Sequence, residues 1–296
     1  MTAEAMSHST AEWARLLVGI ARPRVMALVV FTGLPALWMG QTKPLDPMLA
    51  ASVLLGTALA GASSSAFNAF IERDADARMA RTRQRPLPAA MVLPSAVVAY
   101  GIAAAVGSAV ILAVAGGWQA AAIAWATIAF YVLGYTIYLK PRTPQNIVIG
   151  GAAGATAPLI ASAAAHGVVT PAAWWMFLVI FLWTPPHFWG VAIFRKAEYE
   201  AAGFPMMPSV VGDQGTRWRS LGYVVLLWPL TLAPVAMGWT SWVYGVAALG
   251  LGAWFVALVV RALRAREPSV DYAVFKGSVA YLAALFSVLL LDLALR

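Results

Sequence analysis

Apolar residues fill this chain in repeated runs of about 20, separated by short polar stretches. Runs of that length suffice to carry a helix across a bilayer. Nine such spans are expected, at 25–41, 47–71, 93–115, 118–138, 146–165, 171–194, 220–237, 241–262 and 273–294. The segments between them are short. The expectation is therefore an all-α, polytopic membrane protein in which residues 25–296 form one bundle around a central cavity. Residues 1–24 would form a cytoplasmic N-terminal segment.

Composition agrees with this reading, since 61% of the 296 residues are hydrophobic and only 11% are charged. No soluble domain of this length needs so much apolar surface. Cysteine is absent, which excludes disulfides, Cys-ligated zinc, iron–sulfur clusters and covalent haem attachment. The net charge of +8 could suggest nucleic acid, but its placement argues against such a partner. Arg15, Arg22 and Arg24 precede the first span, and Arg73 to Arg85 follow the second. Lys140 and Arg142 follow the fourth, and Arg195, Lys196, Arg217 and Arg219 follow the sixth. Arg261, Arg264, Arg266 and Lys276 surround the turn between the last two, whereas the opposite loops hold only Lys43, with Arg296 at the C-terminus. The positive-inside rule then places the N-terminus in the cytoplasm and the C-terminus outside. Leu16–Ile20 is too short for a signal core and is followed by Arg22 and Arg24. Residues 11–22 fit an amphipathic interfacial helix, and Glu4 and Glu12 argue against a transit peptide.

Within the spans, Gly56-Thr-Ala-Leu-Ala-Gly61 and Gly150-Gly151-Ala-Ala-Gly154 provide the small residues that let helices approach closely. Pro35, Pro158 and Pro185-Pro186 each remove a ladder hydrogen bond and can kink a helix around a cavity. Two longer loops, 73–92 and 195–219, follow spans two and six and should lie on the same side.

Polar residues at the ends of these spans carry the candidate chemistry. Asn68, Glu72 and Asp76 recur every four residues at the end of span two, which on a helix stacks them on one face. Acids at membrane depth cost free energy unless neutralised, so they are functional candidates by default. An amide with two carboxylates suits a hard cation such as Mg²⁺. Arg73, Arg78, Arg81, Arg83 and Arg85 follow directly, and basic groups beside a magnesium-type cluster suggest a diphosphate site. A second constellation runs Trp183-Thr-Pro-Pro-His187-Phe-Trp189 and then Arg195-Lys196-Ala-Glu198-Tyr199. His187 is open to three roles: a satisfied packing residue, a haem ligand or a proton carrier. Lys196 can meet a phosphate as a point charge, and Glu198 can add an oxygen ligand for a second Mg²⁺. A third patch, Tyr135-Thr-Ile-Tyr138-Leu-Lys140-Pro-Arg142-Thr-Pro-Gln-Asn146, lies on the same side, with Lys140, Arg142 and Asn146 within reach of one cavity. Its alternative reading is a plain loop with interfacial tyrosines.

These residues resemble the intramembrane prenyltransferase superfamily and, within it, the protohaem IX farnesyltransferase family. The resemblance runs from about Arg22 to Gly212. It is densest at Asn68-x3-Glu72-x3-Asp76-x2-Met79-x-Arg81-Thr82-x2-Arg85-Pro86-Leu87, at Leu139-Lys140-x-Arg142-Thr143-x2-Asn146, and at Thr184-Pro-Pro-His187-Phe-Trp189 continuing to Arg195-Lys196-x-Glu198-Tyr199. It implies that farnesyl diphosphate alkylates a vinyl group of haem B, giving haem O and diphosphate. By the same resemblance Asn68, Glu72, Asp76 and Glu198 hold one or two Mg²⁺, with Lys196 beside them in catalysis. Arg73, Arg81, Arg85, Lys140, Arg142, Asn146, His187, Arg195, Glu198 and Tyr199 bind substrate. The family more often has Asp where Glu72 and Glu198 stand here, which adds a methylene to each ligand arm. It also leaves room for a homo-oligomer or for contact with a haem A synthase. Two competing readings share part of the pattern: a prenyltransferase acting on an aromatic or quinone precursor, and a secondary transporter. A transporter's charges belong near the membrane midplane, whereas these gather at one rim.

Overall fold

The computed structural model describes residues 9–40 and 45–296. Lys43, Glu4 and the end of the first expected span at residue 41 lie outside the described residues. Among the described residues there are helices and turns and no strand. Seven helices are long and apolar enough to cross a membrane, and a bent pair, Thr10–Ala21 with Val25–Trp38 at 64°, makes an eighth. The longest apolar helical run, Pro94–Leu139, has 46 residues. At 1.5 Å per residue it would extend about 69 Å, more than twice the thickness of a bilayer core. Gly117 divides it, at φ +82° and ψ 167°, a conformation that only glycine adopts without strain. Dividing the run there yields two segments at the places of the two spans expected from the sequence.

In chain order the helices are α1 (Thr10–Ala21), α2 (Pro23–Trp38), α3 (Pro47–Ile71), α4 (Arg73–Arg78), α5 (Pro94–Ala129), a π-helix (Phe130–Leu139), α6 (Asn146–Gly154) and α7 (Ala157–His166). They continue with α8 (Pro171–Phe194), α9 (Lys196–Ala201), α10 (Met207–Leu230), α11 (Ala233–Ala236), α12 (Trp242–Ala265) and α13 (Pro268–Ala294). Two groups of neighbours build the bundle. In one, α3 packs on α5, and α2 and α5 pack on α7; in the other, α8 packs on α10 and α13, and α12 packs on both. Leu37, Leu112, Met176, Leu227, Tyr244, Phe255, Tyr281 and Phe286 are fully buried in the shared core.

Several expectations change in detail. Residues 11–22 do form a helix, α1, closed by a capping box between Ser9 and Glu12. Its apolar side, with Trp13, Leu16, Leu17 and Ile20, packs against Ala66, Leu87, Val92 and Val97 of the same chain, so this face meets protein. The fifth span is two helices, α6 and α7, because Ala155 and Thr156 interrupt it just before Pro158. By contrast, α8 runs straight through Pro185 and Pro186, with the Thr184 hydroxyl donating to the Ile180 carbonyl at 2.8 Å. The expected loop 195–219 is largely helical: α9 occupies its start, and α10 begins at Met207, with a break at Gly212, φ +75°. The expected span at 220–237 covers only the later part of α10; its start was missed because Pro208, Ser209, Gly212, Asp213 and Gln214 interrupt the apolar pattern.

An ion pair locks α10 to α13. Arg217 donates to Asp271 from Nε at 2.9 and 3.2 Å and from Nη2 at 2.5 Å, and from Nη1 to Gln214 Oε1 at 3.2 Å. Both partners are almost fully buried. Removing one member strands the other charge, which typically costs about 3–5 kcal/mol. Arg217→Met should therefore lower the melting temperature in detergent sharply, and the double variant Arg217→Met/Asp271→Leu should recover most of the loss. Equal melting of the single and double variants would show that the pair does not bear on stability.

Candidate active site

Asn68, Glu72 and Asp76 do not lie along one uninterrupted helix. α3 ends at Ile71, Glu72 caps it, and α4 carries the chain onward from Arg73. Three side chains nevertheless stay buried together at this end of the bundle: Asn68 is 1%, Glu72 6% and Asp76 1% exposed. The position is hard on Glu72, because a helix C-terminus already carries partial negative charge. Asp76 is better placed, in the first turn of α4.

Each of the three accepts from one basic side chain. Arg22 Nη2 donates to Asn68 Oδ1 at 3.0 Å. Lys140 Nζ lies 2.6 Å from both carboxylate oxygens of Glu72, with its hydrogen bond directed at Oε2. Arg85 Nη1 donates to Asp76 Oδ2 at 2.8 Å. Local structure aims these cations. Arg22 sits between α1 and α2 in the left-handed region at φ +53°, ahead of Pro23, a conformation that costs a non-glycine residue roughly 1–2 kcal/mol. Lys140 follows the π-helix, where its backbone N–H reaches back five residues to Tyr135 at 2.9 Å, and such wide turns are frequent at functional sites. Arg85 is brought back by the turns after α4, where Thr82 Oγ1 donates to the Asp76 carbonyl at 2.7 Å. Burial pushes the Arg85 pKa down and neighbouring Arg22 adds to this, while Asp76 opposes both. Asn68 is steadied on its other side, with Nδ2 donating to Thr136 Oγ1 at 3.3 Å.

The second constellation meets the first. Met79, Tyr135, Ile147, Ala192, Tyr199, Ala202 and Met206 form one buried cluster, with Tyr131, Phe188 and Phe204 against it. Arg78 donates to the Ala202 carbonyl at 3.3 Å. Burial raises the Tyr199 pKa; Arg81 lowers it, and Glu72 and Glu198 raise it further, so charges of both motifs act on one phenol. Lys140 lies over the Phe204 ring at 4.7 Å and the Tyr135 ring at 5.9 Å, within cation–π range. Arg195 pairs with Glu198 at 2.6 Å, and Lys196 with Asp213 at 3.1 Å.

Other expected residues stand apart. Arg73 pairs with Asp74 at 3.7 Å and stacks over Phe70. Arg142 is exposed and donates to the Ile137 and Tyr138 carbonyls, capping the π-helix. Asn146 is buried and donates to the Thr143 carbonyl at 2.5 Å. Arg81 is exposed, although its charge reaches Tyr199. His187 faces α13: its ring stacks on Trp183 at 4.2 Å and Phe275 at 4.8 Å, and Nδ1 is 2.7 Å from Ser278 Oγ. The Ser278 hydroxyl gives its one hydrogen to the Phe275 carbonyl at 2.7 Å. Phe188 and Ala192, on another face of α8, are the ones that join the cluster beside the acids. A concavity of about 500 Å³ lined by Ala257, Val260, Arg261, Arg264 and Ala265 lies elsewhere and contains none of the expected site residues.

The donor chemistry fits a hard cation. Asn68, Glu72 and Asp76 supply only oxygen, and Glu198 Oε2 is buried without a hydrogen-bond partner. Among the described residues no three His, Cys, Asp or Glu side chains lie together as a ready-made metal set. The candidate oxygen donors are thus two carboxylates and an amide, each engaged by a basic group. Sequence reasoning passed over Arg22, Thr136 and Asp213. Arg22 read as one of several topology-setting arginines, and nothing in the chain marks its contact 46 residues away.

Residues 29–288 match the UbiA prenyltransferase family. The chain belongs to that family. It is 44% identical over 277 residues to a protein of Methylobacterium nodulans named protoheme IX farnesyltransferase, covering 92% of this chain and 87% of the relative. A Brucella ovis protein of the same name is 43% identical over 292 residues, 97% of this chain and 92% of the relative. The fold matches the structure of a UbiA homologue from Aeropyrum pernix with a TM-score of 0.74, at 17% identity, over 91% of this chain and 98% of that one. A UbiA homologue from Archaeoglobus fulgidus, bound to GPP and Mg²⁺, matches with a TM-score of 0.62 at 16% identity, over 93% and 99%. The chain is therefore a multi-span membrane protein of the prenyltransferase fold.

Gly150 makes room for this arrangement. A Cβ there would meet the Tyr135 ring at 2.3 Å, whereas one at Gly154, a turn along α6, would meet nothing within 4 Å. Gly150→Ala should destabilise by about 1–3 kcal/mol and lower the melting temperature, while Gly154→Ala should be neutral or stabilising. Matching melting curves for the two variants would remove the packing argument.

Proposed function

We propose that this chain transfers the farnesyl group of farnesyl diphosphate to a vinyl group of haem B, giving haem O and diphosphate. The observation that carries the proposal is the cluster of Asn68, Glu72 and Asp76 buried among basic groups at the end of α3, in a chain 43–44% identical along nearly its whole length to proteins named protoheme IX farnesyltransferase. The bond between the first farnesyl carbon and the diphosphate oxygen breaks, and that carbon bonds to the vinyl group. Water adds to the cation left on the former vinyl carbon and a proton departs.

Asn68, Glu72 and Asp76 would hold magnesium, with Glu198 available for a second ion, and the Mg²⁺-bound Archaeoglobus homologue supports this choice. Magnesium there supplies charge neutralisation for a leaving group that is otherwise poor. The chain's own residues do the rest. Lys140, Arg85, Arg81 and Lys196 act as electrostatic clamps on the diphosphate. Tyr131, Tyr135, Phe188, Tyr199 and Phe204 wall off the allylic carbon as it becomes cationic, keep premature water away and offer ring faces to the charge. A fifteen-carbon tail buried in the bundle gains on the order of 10 kcal/mol before ordering costs, which accounts for a membrane enzyme. His187 is our candidate contact to haem. The membrane is a bacterial inner membrane, with the N-terminus and the charged site in the cytoplasm and the C-terminus outside.

The test is an assay of purified protein with haem B, farnesyl diphosphate and Mg²⁺, with products read by mass. Haem O and diphosphate in equal amounts are expected. A prenylated phenol formed from 4-hydroxybenzoate, with haem B untouched, would overturn the proposal in favour of an aromatic acceptor. Asp76→Asn should lower turnover at least about a hundred-fold, the scale of losing one transition-state electrostatic contact, with folding unchanged. Near-normal turnover would remove the metal role of Asp76.

A further inference from the structure

We propose that Arg261 and Arg264, at the end of α12, form a binding site for the phosphate headgroup of an anionic phospholipid, apart from the prenyl-transfer site and independent of its chemistry.

The two arginines lie in the concavity of about 500 Å³ that Ala257, Val260 and Ala265 complete. That volume falls within the roughly 300–1,000 Å³ usual for small-ligand sites. Helical spacing explains the shape. Residues four apart stack on one face, so Ala257, Arg261 and Ala265 form one row and Val260 and Arg264 the next. An alanine one turn before Arg261 and another one turn after it leave open space on both sides of the guanidinium.

These two cations also lack what other arginines at this end of the bundle possess. Arg78 donates to the Ala202 carbonyl, Arg195 to Glu198, Arg217 to Asp271 and Arg219 to the Gly215 carbonyl. Among the described residues neither Arg261 nor Arg264 has a hydrogen bond or an ion pair. Glu267, three residues past Arg264, accepts from the Ser269 hydroxyl instead, at 3.5 Å. Two exposed guanidiniums one turn apart, without acceptors, present forked donors that match phosphate oxygens.

The rest of the face selects a lipid over a soluble phosphate. Val246, Gly250, Ala253 and Ala257 continue it along α12, and all are exposed. A Cβ at Gly250 would meet nothing within 4 Å, so no protein covers the stripe. From Val246 to Ala257 the helix rises about 16 Å, about half of a bilayer core and so the depth of one leaflet. An acyl chain laid along the stripe brings its phosphate level with Arg261 and Arg264. The end of α12 is also the end that bears the acidic cluster. Gln214 donates to the Leu263 carbonyl at 3.1 Å, and the adjacent Asp213 pairs with Lys196. Because α12 packs on α10 and α13, a lipid held here steadies that half of the bundle.

The experiment titrates full-length protein in detergent with phosphatidylglycerol, phosphatidylcholine and inorganic phosphate. Bound lipid is counted by native mass spectrometry, and the melting temperature is followed in parallel. Phosphatidylglycerol should bind on the order of ten-fold more tightly than phosphatidylcholine and raise the melting temperature. Arg261→Gln/Arg264→Gln should weaken phosphatidylglycerol binding on the order of ten-fold and leave the lipid-free melting temperature unchanged. Arg15→Gln/Arg83→Gln removes the same charge from exposed positions elsewhere on this rim and should retain native affinity. Equal losses in the two double variants would show diffuse attraction to the rim and overturn the site. Equal affinity for the two lipids, or native affinity in Arg261→Gln/Arg264→Gln, overturns it as well. Inorganic phosphate that binds as tightly as phosphatidylglycerol and displaces it overturns the lipid assignment. Should the glutamine variant fail to fold, Arg261→Lys/Arg264→Lys decides: a site built on forked donors loses affinity although the charge is kept, and unchanged affinity overturns it.

Discussion

Charge at the end of an apolar bundle has to be matched within the protein, and the architecture of this site follows from that constraint. Asn68, Glu72 and Asp76 are nearly inaccessible, so water cannot do the matching. The carboxylates are met by side chains, and the chain must deliver those side chains from a distance. Lys140 is 68 residues from Glu72 and Arg22 is 46 from Asn68. This requirement gives a common purpose to three unusual local structures: a left-handed arginine before a proline, a π-helix ending at a lysine, and a turn that folds an arginine back nine residues. Each departs from plain helix, and each departure ends on one oxygen of the same site.

Much of this was legible in the sequence, and the boundary of legibility has a physical basis. The spans were readable because a bilayer demands about 20 apolar residues whatever their neighbours do. The acids were readable because an ionisable group at the end of such a span is rare unless it has work to do. The helical part of 195–219 was illegible because Pro208, Ser209, Gly212, Asp213 and Gln214 break up the apolar pattern at the start of α10, which is held by tertiary contacts such as Arg217 with Asp271. The partnership of Arg22 with Asn68 was illegible for a related reason. An arginine that obeys the positive-inside rule looks the same whether it faces headgroups or a buried amide.

The two sides of α8 separate two tasks that the motif around His187 runs together in the chain. Phe188 and Ala192 face the acids and the aromatic cluster, while Trp183, His187 and Gly190 face α13. Helical geometry puts neighbours in sequence about 100° apart, so a string of six motif residues necessarily meets two neighbours, the aromatic cluster beside the acids and α13.

Ion pairs of similar chemistry serve opposite ends in this bundle, and their geometry distinguishes them. Arg217 makes three contacts to Asp271 and a fourth to Gln214, and Asp271 has both oxygens engaged. Such a bidentate, saturated pair has nothing to gain from a new partner and holds α10 to α13 permanently. Arg22, Lys140 and Arg85 each reach their acceptor through one nitrogen, and the remaining donors of the two guanidiniums and the ammonium are free to turn toward an incoming anion. Saturation favours a fixed joint, and incomplete engagement favours exchange. On that ground the Arg217–Asp271 joint is a fixed part of the frame, whereas Arg22, Lys140 and Arg85 keep donor capacity at the site.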